Sequence, residues 1–254
     1  MEILAEHGTA DVFLGANVMC HIPTLHSVVD GIKTLLKPEG VLIFEDPYLG
    51  DIVQKISYDQ IYDEHAFYFS LTSLAHLFDR HGMEVIDVIT QDVHGGSMRY
   101  VVARKGAFDP SPAVGALRER ENALGLRDIK TYHQLRANIE SSRDELMKLL
   151  QKLKKQGNRV TGYGATSKST TVTNYCGITP DLVEFISDTT PIKQGKFSPG
   201  VHIPVRPYNE FEAKYPNFAL LFAWNHTEEI MEKERKFQSS NGRWIVYVPR
   251  VEII

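Results

Sequence analysis

Asp11-Val12-Phe13-Leu14-Gly15-Ala16 opens the stretch that decides the fold. Ile22 to Leu36, then Lys37-Pro38-Glu39-Gly40, then Val41-Leu42-Ile43-Phe44 complete it. The first six residues read as a short buried strand. Ile22, Leu25, Val28, Val29, Ile32, Leu35 and Leu36 recur at a spacing that gathers them on one helix face. Pro23 suits the first turn of that helix, where a missing N–H leaves nothing unpaired. Lys37 to Gly40 carries the turn chemistry of a helix stop. The four apolar residues after it suit a strand covered on both faces. Strand, helix and strand in succession predict an α/β domain.

Working outward, residues 71–81 predict a second amphipathic helix with Ser70 as N-cap. Residues 84–93 and 98–105 predict two strands joined by the turn His94-Gly95-Gly96-Ser97. Together these elements are half of an α/β sheet closed by an antiparallel pair. A Gly/Pro-containing linker spans 105–112. Residues 113–156 are charged and helical, with Leu146, Leu149, Leu150 and Leu153 on one side and Lys152, Lys154 and Lys155 at the negative pole of the helix dipole. A second α/β pattern starts at Arg159. It comprises strands over 160–163, 182–187, 218–224 and 244–248, and helices over 166–175 and 228–237. The predicted organisation is a partial Rossmann-like sheet (1–107), a helical connector (108–156) and a second Rossmann-like α/β domain (157–254).

Composition narrows the function classes. At ~150 residues per domain, 254 residues make one or two domains. With 43% hydrophobic and 24% charged residues, the chain can bury a core. Lys plus Arg is 28 and Asp plus Glu is 32, a net charge of −4. That argues against a chain held by nucleic-acid phosphates or by an anionic membrane. No apolar run approaches the ~18 residues of a membrane span, and the acidic start lacks the order of a signal peptide. Cys20 and Cys176 stand far apart, with no disulfide framework and no Cys-x-x-Cys knuckle. The expectation is a cytoplasmic protein without a metal.

Several ordered motifs lie on this frame. They are Ala16-Asn17-Val18-Met19-Cys20-His21-Ile22-Pro23, Tyr62-Asp63-Glu64-His65-Ala66-Phe67-Tyr68-Phe69-Ser70 and His94-Gly95-Gly96-Ser97-Met98-Arg99. The second half carries Gly162-Tyr163-Gly164-Ala165-Thr166-Ser167-Lys168, Asn174-Tyr175-Cys176-Gly177, residues Asp188 to Lys196 and residues Pro199 to Pro204. Over essentially the whole chain they resemble the S-adenosylmethionine-dependent sugar C-methyltransferases that modify nucleotide-linked deoxysugars. The helix, Leu-Lys-Pro-Glu-Gly and apolar strand likewise resemble the segment after the fourth strand of methyltransferase sheets. Members of that family resemble three-part proteins with a cysteine-rich zinc module ahead of the cofactor domain. The zinc module, the first strands of the cofactor sheet and their Gly-rich loop have no counterpart here. The expectation is therefore an N-terminally truncated member, whose open sheet edge invites pairing with another chain.

The chemistry sets its own demands. A sugar carbon becomes a nucleophile once a neighbouring ketone lets it lose a proton. The site then needs a base of near-neutral pKa, donors aimed at the enolate oxygen, and close positioning of both partners. His21, Tyr62, Glu64 and His65 are of the right types, and the resemblance implies that they fall on active-site positions. His65 is the expected base and His21 the runner-up. Glu64 would orient a histidine or hold a sugar hydroxyl, and Tyr62 would donate to the ketone or enolate oxygen. Ala16, Asn17 and Val18 would line the cofactor. Each also has an ordinary reading: a histidine after a strand caps helices or packs in cores, and Tyr-Asp-Glu-His is a common type of solvated loop.

In the second half, Gly162-x-Gly164 ends a strand and opens a helix whose N–H groups attract anions. Ser167 stands where the third glycine of a dinucleotide fingerprint belongs, and the spacing is not that of a P-loop. The resemblance implies that Gly95, Gly96, Ser97, Arg99, Tyr163, Ser167, Lys168, Lys196 and His202 contact a nucleoside-diphosphate keto-deoxysugar. Plain turns and solvated lysines are the competing readings, and Trp224-Asn225-His226 ends a strand at the expected ligand edge. Two rival functions stand beside the methyltransferase. One is a nicotinamide- or nucleotide-dependent oxidoreductase using Gly162 to Lys168, with Asp188 as its ribose-binding acid. The other is a non-catalytic nucleotide-sugar binding module.

Overall fold

The computed structural model describes residues 2–254. Contacts divide them into two units: the chain through Val53 with Asp63–Tyr132, and Gln54–Tyr62 with His133–Ile254.

The first unit begins with a short helix α1 (Glu2–His7) and strand β1 (Ala10–Ala16). Helix α2 (Leu25–Leu35) comes next and buries Leu25, Val29 and Ile32 along one stripe. The helix starts two residues later than Pro23 suggested, because Thr24 is its N-cap. The helix stops ahead of Lys37 to Gly40, as expected, and Leu36 is already extended. Strand β2 (Leu36–Pro47) pairs with β1 at Leu36 and again from Val41, and Lys37 to Gly40 bulge between the two paired stretches. Helix α3 (Leu49–Lys55) has no period long enough to be read from sequence. Helix α4 (Leu71–Asp79) buries Leu71, Leu74 and Phe78 and starts in a capping box between Ser70 and Ser73. Strands β3 (Met83–Gln91) and β4 (Ser97–Arg104) come after it, then α5 (Pro112–Leu124).

The sheet order is β1-β2-β4-β3, with β1 and β2 parallel and the other pairs antiparallel. Phe44 and Tyr100 face each other across β2 and β4 and stack at 5.1 Å. Edge strand β1 leaves Leu14 71% exposed. The α5 side chain Glu121 is buried and caps α4 from a distance. Its carboxylate accepts the N–H groups of Leu71 (2.6 Å) and Thr72 (2.9 Å) and the Thr72 hydroxyl (2.6 Å). This satisfies donors that a helix start leaves unpaired.

Helix α6 (Ile129–Lys155) continues from the first unit into the second and buries Leu146, Leu150 and Leu153 there. The helical stretch expected over 113–156 thus exists as α5 and α6. The second unit adds β5 (Val160–Tyr163), α7 (Ser167–Cys176), β6 (Ile186–Asp188), β7 (Val205–Pro207), α8 (Tyr208–Ala213), β8 (Phe218–Leu221), α9 (Thr227–Lys233), α10 (Arg235–Ser239), β9 (Arg243–Val246) and β10 (Glu252–Ile253). Its strand order is β10-β9-β8-β5-β6-β7. All neighbours are parallel except β10, which pairs antiparallel with β9. The chain leaves β5 toward β6 and β7, then returns to β8 on the other side. That places a topological switch point between β5 and β8, where open sheets hold ligands. The mixed α/β architecture agrees with the Rossmann-like class read from the sequence. No described helix is long and apolar enough to cross a membrane.

Candidate functional site

In the first unit the carboxyl end of β1 turns sharply at Asn17, whose φ is 52° and whose N–H donates to the Glu45 carbonyl (2.7 Å). The chain then enters a one-turn 3-10 helix, Met19–His21, that buries Met19 and Cys20 and leaves His21 outside. A second loop, residues 63–69, comes back against it. The Phe67 N–H donates to the Cys20 carbonyl (3.1 Å), and His21 Nδ1 bonds the Glu64 carbonyl at 2.6 Å. Downstream, Phe69 bridges to Tyr48, and its carbonyl accepts the Leu49 N–H (2.9 Å). Two loops 43 residues apart in sequence are thus fastened at both ends.

The result is a histidine pair. The His21 and His65 rings lie 5.1 Å apart at 48°, and His65 meets Tyr68 edge-on at 5.8 Å. His65 is buried, at 9% exposure, while Glu64 is exposed. A carbonyl can only accept, so His21 Nδ1 carries a proton, and in the neutral ring Nε2 is the acceptor. Cys20 lies beneath. Burial, with Asp46 beside it, pushes the thiol pKa up, and burial likewise raises Asp46. Of the four expected catalytic residues, the fold brings together His21, Glu64 through its backbone, and His65. Tyr62 is half-buried and ends the segment 54–62 of the second unit.

The expected substrate contacts of the first unit lie near the β3–β4 turn. Gly95 and Gly96 have φ of 91° and 128°, and a Cβ on Gly96 would collide with the Asp51 carboxylate. Ser97 is buried with its hydroxyl toward the Val93 carbonyl (3.3 Å), and Arg99 pairs with Glu45 (2.9 Å). S-adenosylmethionine was expected on Ala16, Asn17 and Val18. These residues offer a left-handed turn and an exposed Val18, with the Asn17 amide bonded to His94 (3.2 Å).

In the second unit, Lys168 on the first turn of α7 donates to Asn225 (3.0 Å), and its ammonium lies 4.7 Å from the Trp224 ring centre. Burial lowers the Lys168 pKa, against the opposing charge of Asp59. Both loops border the switch point. Ser167, Lys193 and Lys196 line an adjoining cavity of about 450 Å³. His202 is exposed, with φ of 57°. Tyr163 faces an aromatic cluster: its hydroxyl donates to buried Glu234 (2.7 Å) and its ring meets Trp244 edge-on. Asp188 accepts the N–H groups of Ala165 and Thr190, both at 2.7 Å, so its two oxygens hold the chain's own loop.

Sequence reading missed Asp59. It is buried, and its Oδ2 accepts the Trp224 indole N–H (2.6 Å) and the Tyr247 hydroxyl (2.7 Å). It also missed a chain from Asp30 through His81 to His26, with separations of 2.6 and 2.8 Å. Neither has a local signal, because the partners are distant in sequence.

Comparison with known proteins adds the family. Residues 92–249 match the family described as the C-methyltransferase C-terminal domain, and residues 1–88 match a methyltransferase domain. The chain is similar to the C-methyltransferase NovU of Streptomyces niveus, at 37% identity over 254 residues. That alignment covers 100% of this chain and 60% of the length of that protein.

Proposed function

The chain belongs to the C-methyltransferase family, and on that premise we propose that it takes part in S-adenosylmethionine-dependent methylation of a sugar carbon on a nucleoside-diphosphate keto-deoxysugar. The His21–His65 pair carries this reading. It puts a buried imidazole beside a second one whose tautomer is fixed by a backbone carbonyl.

S-adenosylmethionine, when bound, supplies the electrophilic methyl group. The chain's own residues do the proton chemistry. His65 takes the proton from the carbon next to the ketone, and an imidazole is suited to this near neutral pH. His21, with Nδ1–H spent on Glu64, keeps Nε2 as the acceptor for a sugar hydroxyl. Fastened loops hold the base at a fixed distance, which is what proximity requires. Taken by itself, the second unit offers an anion the start of α7, with Ser167 and Lys196 lining one cavity there.

The test uses the full chain with a methyl-labelled donor and a nucleoside-diphosphate 4-ketosugar. Label appearing on sugar carbon is expected, with a loss of roughly 10²–10⁴-fold in His65→Asn and a smaller loss in His21→Asn. Tyr62→Phe in the same assay tests the expected enolate donor. Exchange of the sugar C–H proton with deuterated solvent reads the base without methyl transfer. Full exchange in His65→Asn would assign the base elsewhere. Calorimetry with the nucleotide sugar alone then separates an enzyme from a binding module.

A further inference from the structure

The sequence reading expected no metal, yet the fold collects donors that no spacing rule would join. Cys20 Sγ and one ring nitrogen each of His21 and His65 lie within 4.8 Å of one another. Tetrahedral zinc, with Zn–N of about 2.0–2.1 Å and Zn–S of about 2.3 Å, sets its donors roughly 3.3–3.6 Å apart. Closing the present gap takes a shift of about 1 Å.

Two further observations point to a cation. The His21 Nδ1–H donates to the Glu64 carbonyl at 2.6 Å, which is the outer hydrogen bond that fixes the tautomer and ring plane of a metal-binding histidine. Asp46, fully buried, accepts the Cys20 N–H through Oδ1 at 3.4 Å, while its Oδ2 is buried with no hydrogen-bond partner. A buried carboxylate oxygen without a partner is costly. A cation held beside it by Cys20 would offset that cost.

We propose that Cys20, His21 and His65 bind a divalent transition-metal ion of the zinc class, with the Asp46 carboxylate beside it. One sulfur and two imidazole nitrogens select zinc or cobalt over magnesium or calcium, which prefer oxygen. Cys20 binds as thiolate and its proton leaves to solvent. Occupancy takes a nitrogen of His65, so the ion would block the proposed base. That consequence rests on the functional reading above, while the binding itself does not.

The test uses Co²⁺ as the probe on the full, metal-stripped chain. One equivalent is expected to bind with the thiolate-to-cobalt absorption of a sulfur ligand. Cys20→Ser should lose that absorption and Cys176→Ser should keep it. His21→Ala and His65→Ala should each weaken binding at least ~10-fold. His81→Asn, in the sulfur-free histidine pair, should change nothing. X-ray absorption of the wild-type Zn²⁺ complex, with one sulfur and two imidazoles expected, gives an answer even if Cys20→Ser misfolds. A sulfur-free shell, absorption that survives in Cys20→Ser, or no binding at millimolar metal each overturns the proposal. Methyl transfer is not read at all, so a failure here leaves the functional reading intact, and the reverse also holds.

Discussion

The Glu64 carbonyl accepts the Nδ1–H of His21 at 2.6 Å, and this one bond ties the 3-10 turn after β1 to the loop that carries His65. The second tie, Phe67 N–H to the Cys20 carbonyl, lies on the same pair of loops. We expect His21→Ala to loosen the loop around His65. Amide exchange at Phe67 should quicken and kcat should fall because positioning is lost, on top of the rise in KM that losing the Nε2 acceptor of the sugar hydroxyl brings. His21→Asn, which keeps a short donor, should recover part of both. Equal loss of kcat in the Ala and Asn variants with unchanged exchange would show that His21 acts chemically and does not hold the loop.

Gly96 is constrained twice. Its φ of 128° lies where side-chain-bearing residues rarely go, and a Cβ there would strike Asp51. Asp51 cannot easily move aside, since Arg120 holds its carboxylate at 2.7 Å. Gly96→Ala should therefore cost about 2–4 kcal/mol, read as a lower denaturation midpoint. If the turn at 94–97 were only a solvated connection, the variant would unfold with the parent.

Glu121 is a buried carboxylate whose partners are all donors at the start of α4, together with the Tyr48 hydroxyl at 3.3 Å. Glu121→Ala would leave buried N–H groups of Leu71 and Thr72 without an acceptor. A loss of about 2–3 kcal/mol is expected. Glu121→Gln keeps one acceptor oxygen and should lose less. Denaturant midpoints at constant m-value measure both.

Tyr163 separates packing from substrate contact. Its hydroxyl is bonded to buried Glu234, which also accepts from Tyr208 at 2.8 Å. Tyr163→Phe should cost about 1–2 kcal/mol of stability and leave KM for a nucleotide sugar unchanged. A raised KM with unchanged stability would return Tyr163 to the substrate.

How legible each feature is in the sequence depends on the range of the interactions that make it. The α2 stripe, the Ser70 cap and the β3–β4 hairpin rest on neighbours within one or two turns, so periodicity and capping chemistry reveal them. β7 and β10 have three and two residues, and their partner strands define them. Residues 37–40 keep the turn chemistry that stops the helix, and what stays hidden is that pairing with β1 resumes on both sides of them, at Leu36 and Val41, leaving a bulge inside β2. At the site, resemblance points to His21 and His65. The bonds that orient them, Glu64 carbonyl to His21 and Phe67 to Cys20, involve backbone atoms that no residue type announces. Asp59 is invisible for the opposite reason: its partners Trp224 and Tyr247 are 165 and 188 residues away.

Asp59 also gives the pH prediction. Burial raises its pKa, opposed by the Lys168 charge and by the donors Trp224 and Tyr247. Its Oδ1 is buried with no hydrogen-bond partner, so ionisation puts charge on an oxygen that no donor meets. A carboxyl whose folded pKa exceeds its unfolded value favours the folded state fully below the unfolded pKa, about 4. It surrenders that stability as pH rises through the raised value. The unfolding midpoint of the parent should thus fall relative to Asp59→Asn as pH climbs from about 4 toward neutrality. The asparagine keeps one carbonyl acceptor for Trp224 and Tyr247 and cannot ionise, so its curve lacks this component. Taking the difference between the two curves cancels every other titrating group they share. Parallel curves across the window would mean that Asp59 keeps an ordinary pKa and is ionised in the fold, balanced by Lys168.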